Sequence, residues 1–323
     1  MKRGIGAAFG AALLFWGLGI SGLSVPARAA AAEPVLKIAL TFDDLPINGT
    51  QPAGITQTQM ARDTLAVLRK YRIPASYGFI NAQKLENDPD GAEALRLWVQ
   101  AGHPLANHTY THLDLDKNTA DDFTREILRN EPALELLMLL DGKMSGKHDF
   151  RWLRYPYLHE GDTLEKRRAV RAFLAAHRYQ VAETTLDYED YLWNSAYARC
   201  LDRKDAASIA RLRESYIATA DEWMRAEREM SRQVYGRDIN HVLLLHQGAF
   251  SATILPDLFA LLKKRGYRIV TLEEAQSDPV YAEDPDVALP RGGTLIEHMV
   301  VKRGLTWPAI APKPREELAA ICR

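Results

Sequence analysis

Cysteine is nearly absent from this sequence: 323 residues contain two, Cys200 and Cys322. So distant a pair cannot by itself build a zinc finger. In an oxidising compartment the two thiols could join in one disulfide that ties down the extreme C-terminus; otherwise both stay free. An excess of charge of one sign is also missing, since 41 Lys and Arg stand against 42 Asp and Glu. Such a chain has no broad electrostatic attraction to nucleic acid or to an anionic membrane. No repeat of fixed period occurs, which removes solenoids and propellers. With 47% hydrophobic and 26% charged residues, the composition excludes disordered, collagen-like and coiled-coil classes. One large domain or two small ones would fit the length.

What is present begins with an export signal. Lys2 and Arg3 precede an uncharged, largely apolar run from Ile5 to Leu23, and Ala27-Arg28-Ala29 fits a small-x-small cleavage site. The run approaches the length of a membrane anchor, but its glycines and alanines, with Pro26 just before the site, favour removal after Ala29. No cysteine lies near Ala29 to carry a lipid. Residues 1–29 therefore read as a signal peptide and the mature protein as secreted or periplasmic, with no membrane span after cleavage.

Beyond the signal, strand and helix patterns alternate. Apolar runs at Val35–Phe42, Ala75–Ile80, His103–Asn107, Phe150–Arg154, Tyr179–Leu186, His241–Leu245 and Tyr267–Leu272 read as seven strands. Helical patterns lie between them, at Thr56–Tyr71, Ala92–Gln100, Thr119 towards Leu140 with an interruption at Pro132, Thr163–His177 and Ala252–Lys264. That order predicts an α/β fold with mostly parallel pairing, an open sheet or a barrel. Two parts break the rhythm. Residues 203–235 form a charged segment with an apolar stripe of Ile209, Leu212, Tyr216, Ala220 and Trp223, an inserted amphipathic helix. Residues 277–323, rich in Pro, Gly and charge, read as an irregular extension.

Polar residues collect at strand ends. Asp43 and Asp44 follow the first strand, His108 and His112 the third, Arg154 the fourth, Asp187 and Asp190 the fifth, and His246 the sixth. In parallel α/β folds these ends converge on one face. A His-x-x-x-His pair alone is as readily structural, but four residues on one helical turn would aim both imidazoles one way. With a carboxylate they offer two nitrogens and one oxygen, a set that favours Zn2+ and accepts Co2+, Ni2+ or iron. If one of the adjacent aspartates holds the ion, the other is free to accept a proton; a turn cap after the strand would explain only one of them. His246 could be an ordinary core histidine, or a general acid held by Asp190. Histidines 103, 148, 159, 177, 241 and 298 have no such company.

Five stretches in this order resemble the motifs of the polysaccharide deacetylases of carbohydrate esterase family four, which share the NodB homology domain. They are Thr41-Phe42-Asp43-Asp44-Leu45-Pro46, Asn107-His108-Thr109-Tyr110-Thr111-His112, Arg154-Tyr155-Pro156-Tyr157, Asp187-Tyr188-Glu189-Asp190-Tyr191 and Leu244-Leu245-His246. The second matches in full. The others depart at Leu45, where glycine is usual, at Tyr155, where proline is common, and at Tyr191, where tryptophan is usual. The resemblance covers about Val35 to Ala275 and implies a distorted (β/α)7 barrel. It assigns Asp44, His108 and His112 to the metal, Asp43 as base, His246 as acid, Asp190 to tune it and Arg154 to orient Asp43. The Tyr157 N–H would stabilise the oxyanion, and Leu244 and Tyr191 would line the acetyl pocket. It places a catalytic domain at 30–276, with the 203–235 insertion inside it. It further implies a hydrolase of linear amides that acts on N-acetyl groups of peptidoglycan, chitin or an exopolysaccharide. An O-acetyl esterase acting on xylan, and a sugar-binding barrel without turnover, are the competing expectations.

Overall fold

The first apolar run becomes β1 (Leu36–Leu45) in the computed structural model, which describes residues 35–140 and 149–323 and a few isolated positions among the first ten. The signal-peptide run and its cleavage site lie outside the described residues. Among those described, no helix is long and apolar enough to cross a membrane.

Six further strands follow: β2 (Gly78–Ile80), β3 (Leu105–Asn107), β4 (Trp152–Leu153), β5 (Gln180–Val181), β6 (His241–His246) and β7 (Tyr267–Val270). All pairings are parallel, in the order β5-β4-β3-β2-β1-β6, with β7 beside the first half of β1. β1 is thus the central strand and is buried along almost its whole length, which is why its apolar run is nearly continuous. The expected strand at Tyr179–Leu186 is split. After Val181 only Leu186 bridges to Leu243 of β6, because the Thr185 hydroxyl accepts from the Val242 N–H at 2.9 Å and replaces a ladder bond. That single bridge is the last seam of a curled, distorted barrel.

Helices flank the sheet: α1 (Gln57–Lys70), α2 (Pro89–Gln100), α3 (Ala120–Leu140), α4 (Leu164–Ala176), α5 (Leu192–Asp202), α6 (Ala206–Tyr235), α7 (Ser251–Lys264), α8 (Leu272–Gln276), α9 (Leu295–Lys302) and α10 (Arg315–Ala320). Their ends follow local chemistry. Thr56 caps α1 by accepting from Gln59 N–H at 3.0 Å, Pro89 opens α2, and Gly236 closes α6 at φ 72°. Helix α3 runs through Pro132 without the expected interruption. Pro132 and Leu128 face solvent, so water can serve the Leu128 carbonyl that loses its donor. The expected insertion is the 30-residue α6, which buries Leu212, Tyr216, Ala220 and Met224 against the body.

The expected irregular extension is only partly so. A capping box at Thr294 and Glu297 starts α9, and Leu295, Ile296, Met299 and Val300 pack with Met230 and Val234 of α6 in a core of their own. Pro and Gly averaged over forty-seven residues hid this short amphipathic window. Further on, Leu318 joins the main core, Arg199 donates to the Leu318 and Ile321 carbonyls at 2.6 and 3.2 Å, and Cys200 and Cys322 form a disulfide.

Candidate active site

Asp43 and Asp44 are the last polar residues of β1, and Asp43 stands in register with His246 at the end of β6. The backbone of Asp44 is left-handed, φ 65°, which turns consecutive carboxylates towards one cavity instead of opposite faces. Asp43 is fully buried and takes two hydrogen bonds, both 3.2 Å, from one nitrogen of the Arg154 guanidinium. The rest of that guanidinium is fixed by the Ala182 carbonyl at 2.7 Å and the Thr41 hydroxyl at 3.0 Å. Arg154 therefore stands behind the cavity and acts on it through Asp43.

The two histidines are not on a helix. Residues 108–112 form a loop after β3, with Thr109 and His112 both at φ 62°. Asn107 Oδ1 accepts from the Thr109 N–H at 2.9 Å, and the Asn81 amide donates to the carbonyls of His108 and Thr109. These bonds replace helical ones and set both rings edge to face, 4.8 Å apart. His108 Nδ1 donates to the Arg154 carbonyl at 2.7 Å, so its Nε2 is left with a free lone pair. That Nε2 lies 3.8 Å from Asp44 Oδ1, and His112 Nε2 lies 3.4 Å from the same oxygen.

One donor atom from each of Asp44, His108 and His112 falls within 4.8 Å of the others. Asp44 Oδ1 is buried and accepts no hydrogen bond, which in an interior calls for an ion or a partner. A divalent metal fits this donor set. Protonation agrees. Burial keeps both imidazoles below their usual range, and therefore neutral. Burial works the other way on Asp44, but nearby positive charge, that of Lys84 first, outweighs it and holds its carboxyl charged.

His246 faces the same cavity. Its Nδ1 donates to Asp190 Oδ1 at 2.7 Å, and its backbone N–H donates to Oδ2 at 3.0 Å. The Tyr191 ring packs 5.2 Å from the imidazole. The cavity, about 480 Å³, is lined by Asp43, Asp44, His108, His112, Tyr157, Tyr191, Leu244 and His246. Asp190, like Arg154, stands behind it. Tyr157 takes φ 59° and lays an exposed ring 4.4 Å from that of His112.

Several neighbours are absent from the sequence-based expectations. Lys84 reaches the Asp44 carbonyl at 2.8 Å and its Oδ1 at 3.4 Å, and Asn48 donates to Oδ2 at 2.8 Å. His159, Arg291 and Arg315 also line the cavity. Asn48 and Lys84 follow the ends of β1 and β2 as closely as His112 follows β3, so the strand-end signal could have found them; Arg291 and Arg315 lie far from any strand end. His159 belongs to a second group with Asp114 and Asp116, where Lys117 already reaches Asp114 at 3.0 Å.

Residues 31–175 match the polysaccharide deacetylase family model. A chitin deacetylase of Arthroderma benhamiae is 28% identical over 154 residues, 48% of this chain and 35% of the relative. A chitooligosaccharide deacetylase of Bradyrhizobium sp. is 35% identical over 95 residues, 29% of this chain and 37% of the relative. The chain thus spans little more than a third of the length of these curated relatives. The solved chitin deacetylase of Colletotrichum lindemuthianum superposes with a TM-score of 0.50 at 20% identity, covering 75% of this chain and 92% of that one; it shares the fold. Residues 31–175 are thus similar to polysaccharide deacetylases.

The two groups beside the Asp44, His108 and His112 donor set are tuned in opposite directions. Burial, with Asp44 adding to it, pushes the Asp43 carboxyl up to about 6 against the pull of Arg154. Burial would lower His246, but the Asp190 carboxylate, helped by Asp44 and Asp43, pushes it up to about 9. Between those values Asp43 carries its charge and His246 its proton, the states that a base and an acid would need. Opposed pairs of this kind mark acid and base roles.

Proposed function

We propose that the chain is a metal-dependent hydrolase that removes N-acetyl groups from a GlcNAc-containing polysaccharide outside the cytoplasm. One observation carries this reading: three neutral-or-anionic metal donors, a carboxylate base and a histidine acid open onto one cavity. The names of the relatives, chitin and chitooligosaccharide deacetylases, support the substrate class.

Asp44, His108 and His112 would hold the ion, zinc by the softness of two imidazoles, with cobalt or nickel as substitutes. Such an ion supplies Lewis acidity and lowers the pKa of water at neutral pH. Asp43 takes the proton from the attacking water, and Arg154 keeps its carboxylate aimed. His246 gives a proton to the leaving amine nitrogen from Nε2, because Asp190 occupies Nδ1. The Tyr157 N–H donates to the acetyl oxygen as it gains charge, a contribution of about 3 kcal/mol. Leu244 and Tyr191 enclose the acetyl methyl. Residues 30–276 make up the catalytic domain, with α6 inserted beside it. A single disulfide fits an oxidising compartment, in keeping with export on a signal at 1–29.

Purified protein should contain about one divalent ion per chain. Acetate release from chitooligosaccharide should stop on chelation and return with zinc; chelated protein that keeps full activity would refute metal dependence. Acetylated xylan is the companion substrate. Release from xylan alone would turn the reading to ester hydrolysis, and sugar binding without release from either would leave a binding barrel.

The rate should be bell-shaped in pH. Asp43 must be ionised and His246 protonated, so kcat/KM rises through about 6 and falls through about 9. A bound cation favours ionised Asp43 and moves the acid limb down. Asp190→Asn removes the charge that raises His246, so burial prevails and the alkaline limb moves down. A limb that stays in place would remove Asp190 from this role.

A further inference from the structure

Two arginines from the C-terminal extension, Arg291 and Arg315, line the cavity that holds Asp43, Asp44 and His246. Both lie outside the five motifs and outside residues 31–175.

Arg291 is placed with care. Its φ is 78°, and Gly292 and Gly293 follow at 68° and 159°. A Cβ at Gly292 would come within 2.7 Å of the Tyr157 and Leu158 carbonyl oxygens, so the loop is pressed against the backbone at the cavity mouth. The Arg291 N–H donates to Asp116 Oδ2 at 3.1 Å, and the Gly293 N–H to the Leu158 carbonyl at 3.3 Å. Left-handed backbone at Arg291 is a conformation that glycine would adopt with less strain. The side chain there is exposed and makes no ion pair among the described residues.

The carboxylates of the cavity do not need it. Asp43 has Arg154 at 3.2 Å and Asp44 has Lys84 at 3.4 Å. Glu189 has Lys313 at 2.9 Å and Arg315, and these two cations balance Glu189 and the Asp187 carboxylate beside it in the lining. Asp187 accepts the Glu189 N–H at 2.7 Å. Among the described residues the mouth therefore holds one guanidinium, that of Arg291, with no carboxylate paired to it, although the chain as a whole has net charge −1. A guanidinium is a rigid fork that matches a carboxylate.

We infer that Arg291 and Arg315 form a subsite for the carboxylate of an acidic sugar, so that the polymer is an anionic glycan and not a neutral one. This rests on the hydrolase reading for the position of the acetylated sugar, but binding tests it independently of turnover.

The probes are oligosaccharides that alternate N-acetylglucosamine with glucuronic acid, and the same chains after methyl esterification. For the native protein, KM and the calorimetric Kd should be about tenfold lower for the acid form, with a gap that shrinks as salt is added. Arg291→Gln should bring the two forms together through KM and Kd, with kcat for the acid form little moved, and Arg291→Lys should restore part of the gap. Arg291 is exposed, so the fold tolerates both changes. Equal binding of acid and ester by the native protein, or a gap that survives in Arg291→Gln, overturns the subsite. Should no acetate appear from any glycan while the acid form still binds tighter through Arg291, the subsite stands and the hydrolase reading falls. Acetate released equally from both forms would instead sustain the hydrolase and remove the subsite.

Discussion

Asp43→Asn should lower kcat for acetate release by about 10² to 10⁴-fold, the range that a positioned general base contributes, with KM much less affected. The amide has nearly the shape of the carboxylate, but its lone pairs are too weakly basic to accept a proton from water. The acid limb of the pH profile should disappear with the rate, because Asp43 is the group assigned to it. A second effect must be separated from this one. Arg154 is buried, and among the described residues its only carboxylate partner is Asp43. Breaking a buried pair on one side costs about 3–5 kcal/mol; the Asn oxygen still accepts a hydrogen bond, so the lower end applies. Thermal unfolding of the variant shows whether enough folded protein remains at assay temperature. A folded variant with native turnover would take the base role from Asp43.

Cys322→Ser should destabilise the fold by about 2–5 kcal/mol. The bond joins residues 122 apart in sequence, and in the chain-entropy account so long a loop is among the more stabilising. Loss of the tether also loosens α10, which carries Leu318 into the main core and sets Arg315 and Lys313 on Glu189, next to Asp190. Denaturant midpoints of native and variant protein, each with and without reductant, measure this. Reductant should shift the native protein to the variant's midpoint and leave the variant where it is. Identical midpoints for all four samples would mean that the crosslink contributes nothing.

The convergence of Asp43, Asp44, His108, His112 and His246 was legible because parallel strands carry their carboxyl ends to one face, so position along the chain gave position in space. Pairings were legible where residue chemistry left one sensible partner, as with Asp190 and His246. Local geometry was not. Spacing of four is as easily met by a loop as by a helical turn, and the choice between them rests on the side chains of Asn81 and Asn107, two residues with no pattern to mark them. Pro132 shows the same limit: whether proline breaks a helix depends on whether water can reach the carbonyl it leaves bare. The cysteine pairing stayed open because it depends on where α5 and the C-terminus meet. Least legible was the far wall. Arg291 and Arg315 reach the cavity from a loop and a helix of the C-terminal extension, whose positions are set by packing.

Asp44, His112 and Tyr157 all hold backbone conformations that glycine would adopt at lower energy. Glycine at each of them would relax the backbone and at the same stroke empty the hollow of a carboxylate, an imidazole and a phenol ring. At these three positions what suits the chain and what furnishes the hollow pull in opposite directions.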